Sequence, residues 1–87
     1  MRDSVWVIEH REWVAVQQLD CTVSHVSSTR DRALEWMRDN PPDPPGFYAL
    51  LRERVDGPIV QDHQIEFYGR SGTNRLKHQP KYSEEVP

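Results

Sequence analysis

Leu19-Asp20-Cys21-Thr22-Val23-Ser24 alternates apolar and polar residues at every position. Because successive side chains of a strand point to opposite faces of a sheet, this period of two predicts a β-strand that reaches Val26. Such a strand has one covered face and one wetter face. Upstream, Val5-Trp6-Val7-Ile8 is β-branched and aromatic, which predicts a strand buried on both faces.

Two hairpins are compatible with these strands, because no Gly, Pro or Asn marks a turn between them. The first is a long hairpin that pairs Trp6 with Val23. The second turns at residues 9–12 and makes residues 13–17 a strand of their own. We prefer the first because it keeps the apolar residues of both strands on one face.

One helix is predicted over residues 29–39, with Ser28 as its N-cap. Asn40 before Pro41 ends it, since a residue that precedes proline disfavours the helical conformation. Its apolar residues form a single stripe that needs a sheet to pack on. The stripe consists of Ala33, Leu34, Trp36 and Met37.

Two further strands follow a proline-rich linker at residues 41–46. Residues 47–55 are predicted to be the third strand, and 56–58 a turn. Residues 59–60 and 65–68 offer a fourth strand, antiparallel to the third.

The element order β-β-α-β-β predicts an α+β fold in two layers, with one helix on a three- to four-stranded, mainly antiparallel sheet. Residues 1–68 are predicted to form this single small domain. From Gly69 the composition changes to polar, breaker and basic residues. Residues 69–87 are therefore predicted to be a flexible C-terminal tail.

Composition restricts the classes of protein that the chain can belong to. Its 87 residues allow one domain with a thin core, and a single cysteine excludes an internal disulfide. No apolar run is long enough to span a membrane, and no signal-peptide core follows the first residues. We therefore expect a cytoplasmic protein without a membrane partner. Residues 1–68 carry 12 acidic and 7 basic residues, and this net charge of −5 disfavours a large nucleic-acid footprint on the body of the protein.

Three short motifs resemble a family of small uncharacterised bacterial proteins. They are Val5-Trp6-Val7-Ile8-Glu9-His10, Val26-Ser27-Ser28-Thr29 before the helix, and Pro45-Gly46-Phe47. The resemblance covers roughly residues 5–48 and implies a β-β-α-β core. It brings no known activity and no functional residues.

Cys21 and His25 are the first candidates for chemistry. On a continuous strand they share a face, but four residues separate them by about 13 Å. That distance is too long for a nucleophile–base pair or for two ligands of one zinc ion. We interpret Cys21 as a small hydrophobe and His25 as a residue at the strand end.

Other signs of catalysis are weak. The histidines and the cysteine show no metal-chelating spacing, so neither a metal nor a cofactor is predicted. The acid pairs Glu9/Glu12 and Glu53/Glu66 are interpreted as surface carboxylates, because so small a fold has little volume for a pocket. Dinucleotide, phosphate-loop and hydrolase motifs are absent. A small enzyme or ligand-binding domain is only the third hypothesis.

Strand alternation points Phe47 and Tyr48 to opposite faces of the sheet, and likewise Phe67 and Tyr68. It predicts that the tyrosine of each pair lies on the face that the helix leaves uncovered. An exposed aromatic patch is typical of a partner surface, and tyrosines that shield a half-wet face are the equal alternative. We predict a non-enzymatic interaction module that self-associates as a homodimer, or binds another protein, through Tyr48, Tyr68 and Val7 or through an edge strand.

The alternative function is single-stranded nucleic-acid binding. Sheet aromatics would stack on bases, and the basic residues of the tail would hold the backbone. Those residues are Arg70, Arg75 and Lys77.

Overall fold

Five strands form one antiparallel sheet in the computed structural model, which describes residues 4–54 and 65–87. The strand order is β2-β1-β3-β4-β5. The predicted end of the third strand at Val55, the turn at 56–58 and the strand at 59–60 lie outside the described residues. The elements are β1 (Ser4–Ala15), β2 (Gln18–Ser27), α1 (Arg30–Asp39), β3 (Phe47–Arg54), β4 (Glu66–Tyr68) and β5 (Arg75–Leu76).

The first two strands form a long hairpin. It turns at Val16 and Gln17, so the alternative turn at residues 9–12 is wrong. The predicted pairing is also wrong, because Trp6 lies opposite Ser27 and not opposite Val23. The strands run further than the alternation suggests, since β1 continues without a break through Trp13 to Ala15.

A bulge in β2 reverses the alternation of its side chains. Ile8 pairs with His25 and Glu9 pairs with Val23, which leaves Ser24 as the extra residue. One extra residue shifts all later side chains of the strand to the other face. On one face of β2, the side chains therefore come from odd positions up to Val23 and from the even position Val26 after the bulge.

The predicted fold class, α+β with three to four strands, is wrong in the number of strands. The protein is mostly antiparallel sheet, with five strands and one ten-residue helix in its described part. The fifth strand pairs Leu76 with Phe67 and Arg75 with Tyr68. Two residues are too few to show alternation, so they read as part of a polar tail. The predicted antiparallel pairing of the third and fourth strands is present between β3 and β4.

The helix α1 packs its apolar stripe on one face of the sheet. Thr29, one residue after the predicted Ser28, is the N-cap, and its hydroxyl accepts a hydrogen bond from the Arg32 amide at 3.2 Å. Asn40 follows the last helical residue, as predicted, and donates to the Trp36 carbonyl. The core beneath the helix consists of Ile8, Ala33, Met37, Tyr48, Leu50 and Tyr68, with Trp6, Leu34 and Trp36 partly buried against it.

The C-terminal segment, residues 79–87, packs on the opposite face. Trp13 donates its indole N–H to the Pro80 carbonyl at 2.7 Å, and Arg11 donates to the Gln79 side chain at 2.7 Å. Pro80 is fully buried, as is Phe47 on that face. The predicted tail therefore contacts the domain. The predicted domain boundary at residue 68 stays a prediction.

A loop ahead of this segment closes on the end of the helix. Gly72 has a positive φ of 79°, and a side chain there would overlap the carbonyl oxygen of Met37. A residue without Cβ is needed for both reasons. Residues beyond β4 thus contact both the helix and the second face of the sheet. On that second face, Val7 stays half-buried, and Val23 and Val26 stay exposed.

Candidate interaction surface

The strand β2 is an open edge of the sheet. Within the described residues it pairs only with β1, through all of its ten residues except Ser24. Unpaired backbone groups of an edge strand can pair with another chain, and many proteins block them with lysine, proline or a bulge. The strand β2 contains no lysine and no proline, and its bulge at Ser24 leaves residues 18–23 as an uninterrupted stretch. Chemically, this edge can extend the sheet.

Exposed valines lie beside that edge. Val23 is 57% exposed and Val26 is 51% exposed, and Val26 pairs directly with the half-buried Val7 of β1. Paired residues share a face, and these lie on the face away from α1. We call Val7, Val23 and Val26 the valine surface. Cys21 is also exposed, and its register places it on the same face.

The two tyrosines predicted for this surface are buried elsewhere. Tyr48 is 4% exposed and Tyr68 is 3% exposed, and both lie beneath the helix. Tyr48 donates its hydroxyl to the Asn40 carbonyl at 2.6 Å. Burial, followed by the negative charge of Asp43, raises the pKa of Tyr48. Alternation does separate Phe from Tyr, but the tyrosine face is the one that the helix covers.

The other predicted site residues do not meet at one place. Val7 lies at the centre of the valine surface. Arg75 lies in β5, at the opposite edge of the sheet from β2, and its guanidinium is 3.7 Å from the Glu66 carboxylate. Four strand spacings of about 4.8 Å separate these edges. Arg70 and Lys77 are exposed and flank this far edge in sequence.

A charged cluster around Glu66 holds the start of α1 to β4. The Arg30 guanidinium donates to both carboxylate oxygens, at 3.0 and 2.5 Å, and the Tyr68 hydroxyl donates to one of them at 2.6 Å. Mainly through the Arg30 hydrogen bonds, the pKa of Glu66 is lowered. Burial, together with the bond to Glu66, raises the pKa of Tyr68 to about 12. Every buried polar side-chain atom of the cluster has a hydrogen-bond partner, and the cluster joins the first residue of α1 to β4.

Cys21 and His25 lie on opposite faces, because the bulge at Ser24 intervenes. The sequence prediction that they share a face is therefore wrong. His25 stacks on Trp36 with ring centroids 4.7 Å apart and planes 6° apart. No nucleophile–base pair is formed.

A groove of about 560 Å³ runs between β2 and α1, beside the His25–Trp36 stack, and is open to solvent. Arg32, Glu35 and Asp39 give its wall both signs of charge. Over residues 4–54 and 65–87, no group of three or more histidine, cysteine or acidic residues is arranged to hold a metal ion.

Comparison with known proteins finds no matching family model, no matching curated protein and no matching solved structure. The resemblance to a family of small bacterial proteins therefore stays a prediction. Among the described residues, no helix has the length and apolar character needed to cross a membrane. The sequence predicted that an edge strand could form an interface, but it did not show which strand lies at the edge. The signal for β2 is the alternation of apolar and polar residues at 19–24, without lysine or proline.

Proposed function

We propose that this chain is a non-enzymatic protein-interaction module that self-associates through β2 and the valine surface. The observation that carries the proposal is the juxtaposition of a ten-residue open edge with Val23 and Val26, each more than half exposed. Exposed apolar side chains beside an unpaired edge are typical of an interface. The proposal includes a reducing, cytoplasmic location, in which the exposed thiol of Cys21 stays free.

The expected dimer is symmetric. Two-fold dimers use the same patch on both copies, and β2 offers a patch that can face itself. Burial of the remaining half of each valine side chain contributes roughly 1 kcal/mol, so four valines contribute about 4 kcal/mol. Association itself costs at least about 4 kcal/mol, which the new backbone hydrogen bonds and the other buried side chains must exceed. We therefore expect micromolar rather than nanomolar affinity.

The nucleic-acid alternative has less support. Base stacking needs exposed aromatic rings, whereas Tyr48 and Tyr68 are buried under α1. Arg75 already lies near Glu66, at the edge away from the valine surface. A bound oligonucleotide is thus an outcome that would count against the proposal.

Sedimentation equilibrium of the full chain at micromolar concentration, in low and in high salt, tests self-association. We expect a dimer whose affinity is the same or slightly higher in high salt, because apolar burial drives it and net negative copies repel each other. Val23→Glu should raise the dissociation constant of the dimer at least tenfold, because its charge would be buried beside Glu9, the register partner of residue 23, without an opposite charge of its own.

Thr73→Glu is the matched control. It places the same charge on an exposed residue just before β5, at the edge of the sheet opposite β2. The control should dimerise like the unchanged protein. A chain that stays monomeric at all micromolar concentrations contradicts the proposal. So does equal dimerisation of the unchanged protein and Val23→Glu, and so does salt-sensitive oligonucleotide binding by a monomer.

A further inference from the structure

We infer that two copies of this chain pair their β2 strands antiparallel, with Cys21 of one copy opposite Cys21 of the other. The inference rests on the proposed self-association and specifies its geometry. The two copies then associate through an edge strand and not face to face. Their two five-stranded sheets join into one continuous sheet with a single register.

The regular part of β2 determines the centre of this register. Its pairing with β1 is interrupted at two places, between Ile8 and Glu9 and between Trp13 and Ala15. Between these irregularities, β2 pairs without a break from Leu19 to Val23. A second strand can add to this segment without meeting the bulge. The midpoint of the segment is Cys21, so a two-fold axis there uses its full length.

Side-chain chemistry favours the same register. Leu19 of one copy faces Val23 of the other, and the two Cys21 side chains meet between these pairs. All of them lie on the face of the valine surface. Asp20 faces Thr22, whose hydroxyl can donate to the carboxylate, so no like charges are opposed. A register centred on Thr22 would instead run into the extra residue Ser24 on both strands.

The helices do not obstruct this arrangement. The helix α1 contacts β2 near His25, which stacks on Trp36. In the antiparallel pair, the two His25 residues are eight residue positions apart along the strands, about 26 Å. The two helices therefore lie at opposite ends of the junction. The axis is perpendicular to the sheet, so both valine surfaces lie on one face and form a single apolar band.

Disulfide trapping tests directly whether the two Cys21 residues lie opposite each other. Opposed residues of an antiparallel pair have Cα atoms about 4.5–5.5 Å apart, within the range of about 4.4–6.8 Å that a disulfide spans. Copper–phenanthroline takes two electrons from two Cys21 thiols, whose protons go to solvent as the S–S bond forms. We expect the crosslinked yield to follow the dimer fraction measured by sedimentation.

A cysteine that lies far from the same cysteine of the other copy controls for random collision. The double variant Cys21→Ser, Val16→Cys places its thiol at the 69% exposed turn position. It should dimerise but crosslink at least tenfold more slowly than the unchanged protein. Equal crosslinking of the two proteins would overturn the register.

Shifted cysteines test the register itself. In the Cys21→Ser background, Leu19→Cys or Val23→Cys alone should crosslink poorly, because equal positions would be offset by four residues, about 13 Å. An equal mixture of the two should crosslink rapidly. If Leu19→Cys fails to fold, the exposed pair Asp20→Cys and Thr22→Cys serves in the same mixing test.

The outcomes separate this inference from the proposed function. A sedimenting dimer that crosslinks through Val23→Cys alone, or through none of these pairs, overturns the register and leaves self-association standing. A monomer overturns both. A dimer that crosslinks at Cys21 and in the Leu19→Cys with Val23→Cys mixture supports both.

Discussion

Glu66 joins three side chains that come from distant parts of the sequence. It accepts from Arg30 and from Tyr68, and Arg75 approaches the same carboxylate. Its side chain is only 11% exposed, whereas that of Arg30 is 39% exposed. The charge of Glu66 is therefore the one that depends on its partners, while Arg30 keeps part of its hydration.

Glu66→Gln should reduce the free energy of unfolding by about 1–3 kcal/mol at neutral pH, since charge-assisted hydrogen bonds are lost. The lowered pKa of Glu66 means that its contribution is present above the ordinary value of 4.5 and is lost as pH falls through the folded-state pKa. The two proteins should therefore converge in acid. Urea denaturation at several pH values measures this.

Glu35→Gln is the control for that comparison, because Glu35 is an exposed carboxylate on α1. It should change the stability by less than about 0.5 kcal/mol. A constant difference between the unchanged protein and Glu66→Gln down to strongly acid pH would contradict the assigned role of the carboxylate.

Among the elements, α1 depends most clearly on its surroundings. A ten-residue helix is marginal in water by itself, so its packing must hold it. Ala33 and Met37 are fully buried against the sheet. The Thr29 cap and the first-turn Asp31 stabilise its start.

Met37→Ala should lower the free energy of unfolding by about 2–5 kcal/mol, because it leaves a cavity between α1 and the sheet. Arg38→Ala, at the exposed neighbouring position, should cost less than about 0.5 kcal/mol. Chemical denaturation compares the two. Equal small effects would show that the helix is not docked as described.

Elements with a local signal were predictable, and those that depend on distant partners were not. The start of β3 at Phe47 and the end of α1 before Asn40 follow from prolines and alternation. Arg30 meets Glu66 across 36 positions, and nothing in either neighbourhood indicates this. The bulge at Ser24 likewise depends on how β1 pairs, so alternation alone gave the wrong faces for part of β2. The open edge was predictable as a type of surface, but its location required the strand order.

At the scale of the whole molecule, the sheet lies between two unlike covers. The helix covers one face, and residues 79–87 cover part of the other, where Pro80 is fully buried beside Trp13. The second cover is a segment without a strand of its own. Its stabilising effect comes from burial and from the hydrogen bonds of Trp13 and Arg11.

Deletion from Gly72 onward should lower the free energy of unfolding by about 3 kcal/mol or more, since it removes β5 and the packing of the buried Pro80 beside Trp13. The sequence, with its polar composition after residue 69, predicts little change. Thermal and urea unfolding of the shortened chain distinguish the two expectations. Deletion of Pro87 alone is a milder comparison, which removes the carbonyl that accepts from the Arg70 amide.

The two edges of the sheet are both short for a neighbouring strand. The bulge at Ser24 ends the regular run of β2 at Val23, and the opposite edge, β5, has only two residues. In the dimer that we propose, both β2 edges are used, and each end of the combined sheet is a β5 edge. Two residues offer little backbone for a third copy to pair with, so we expect association to end at a closed pair rather than to continue into fibrils.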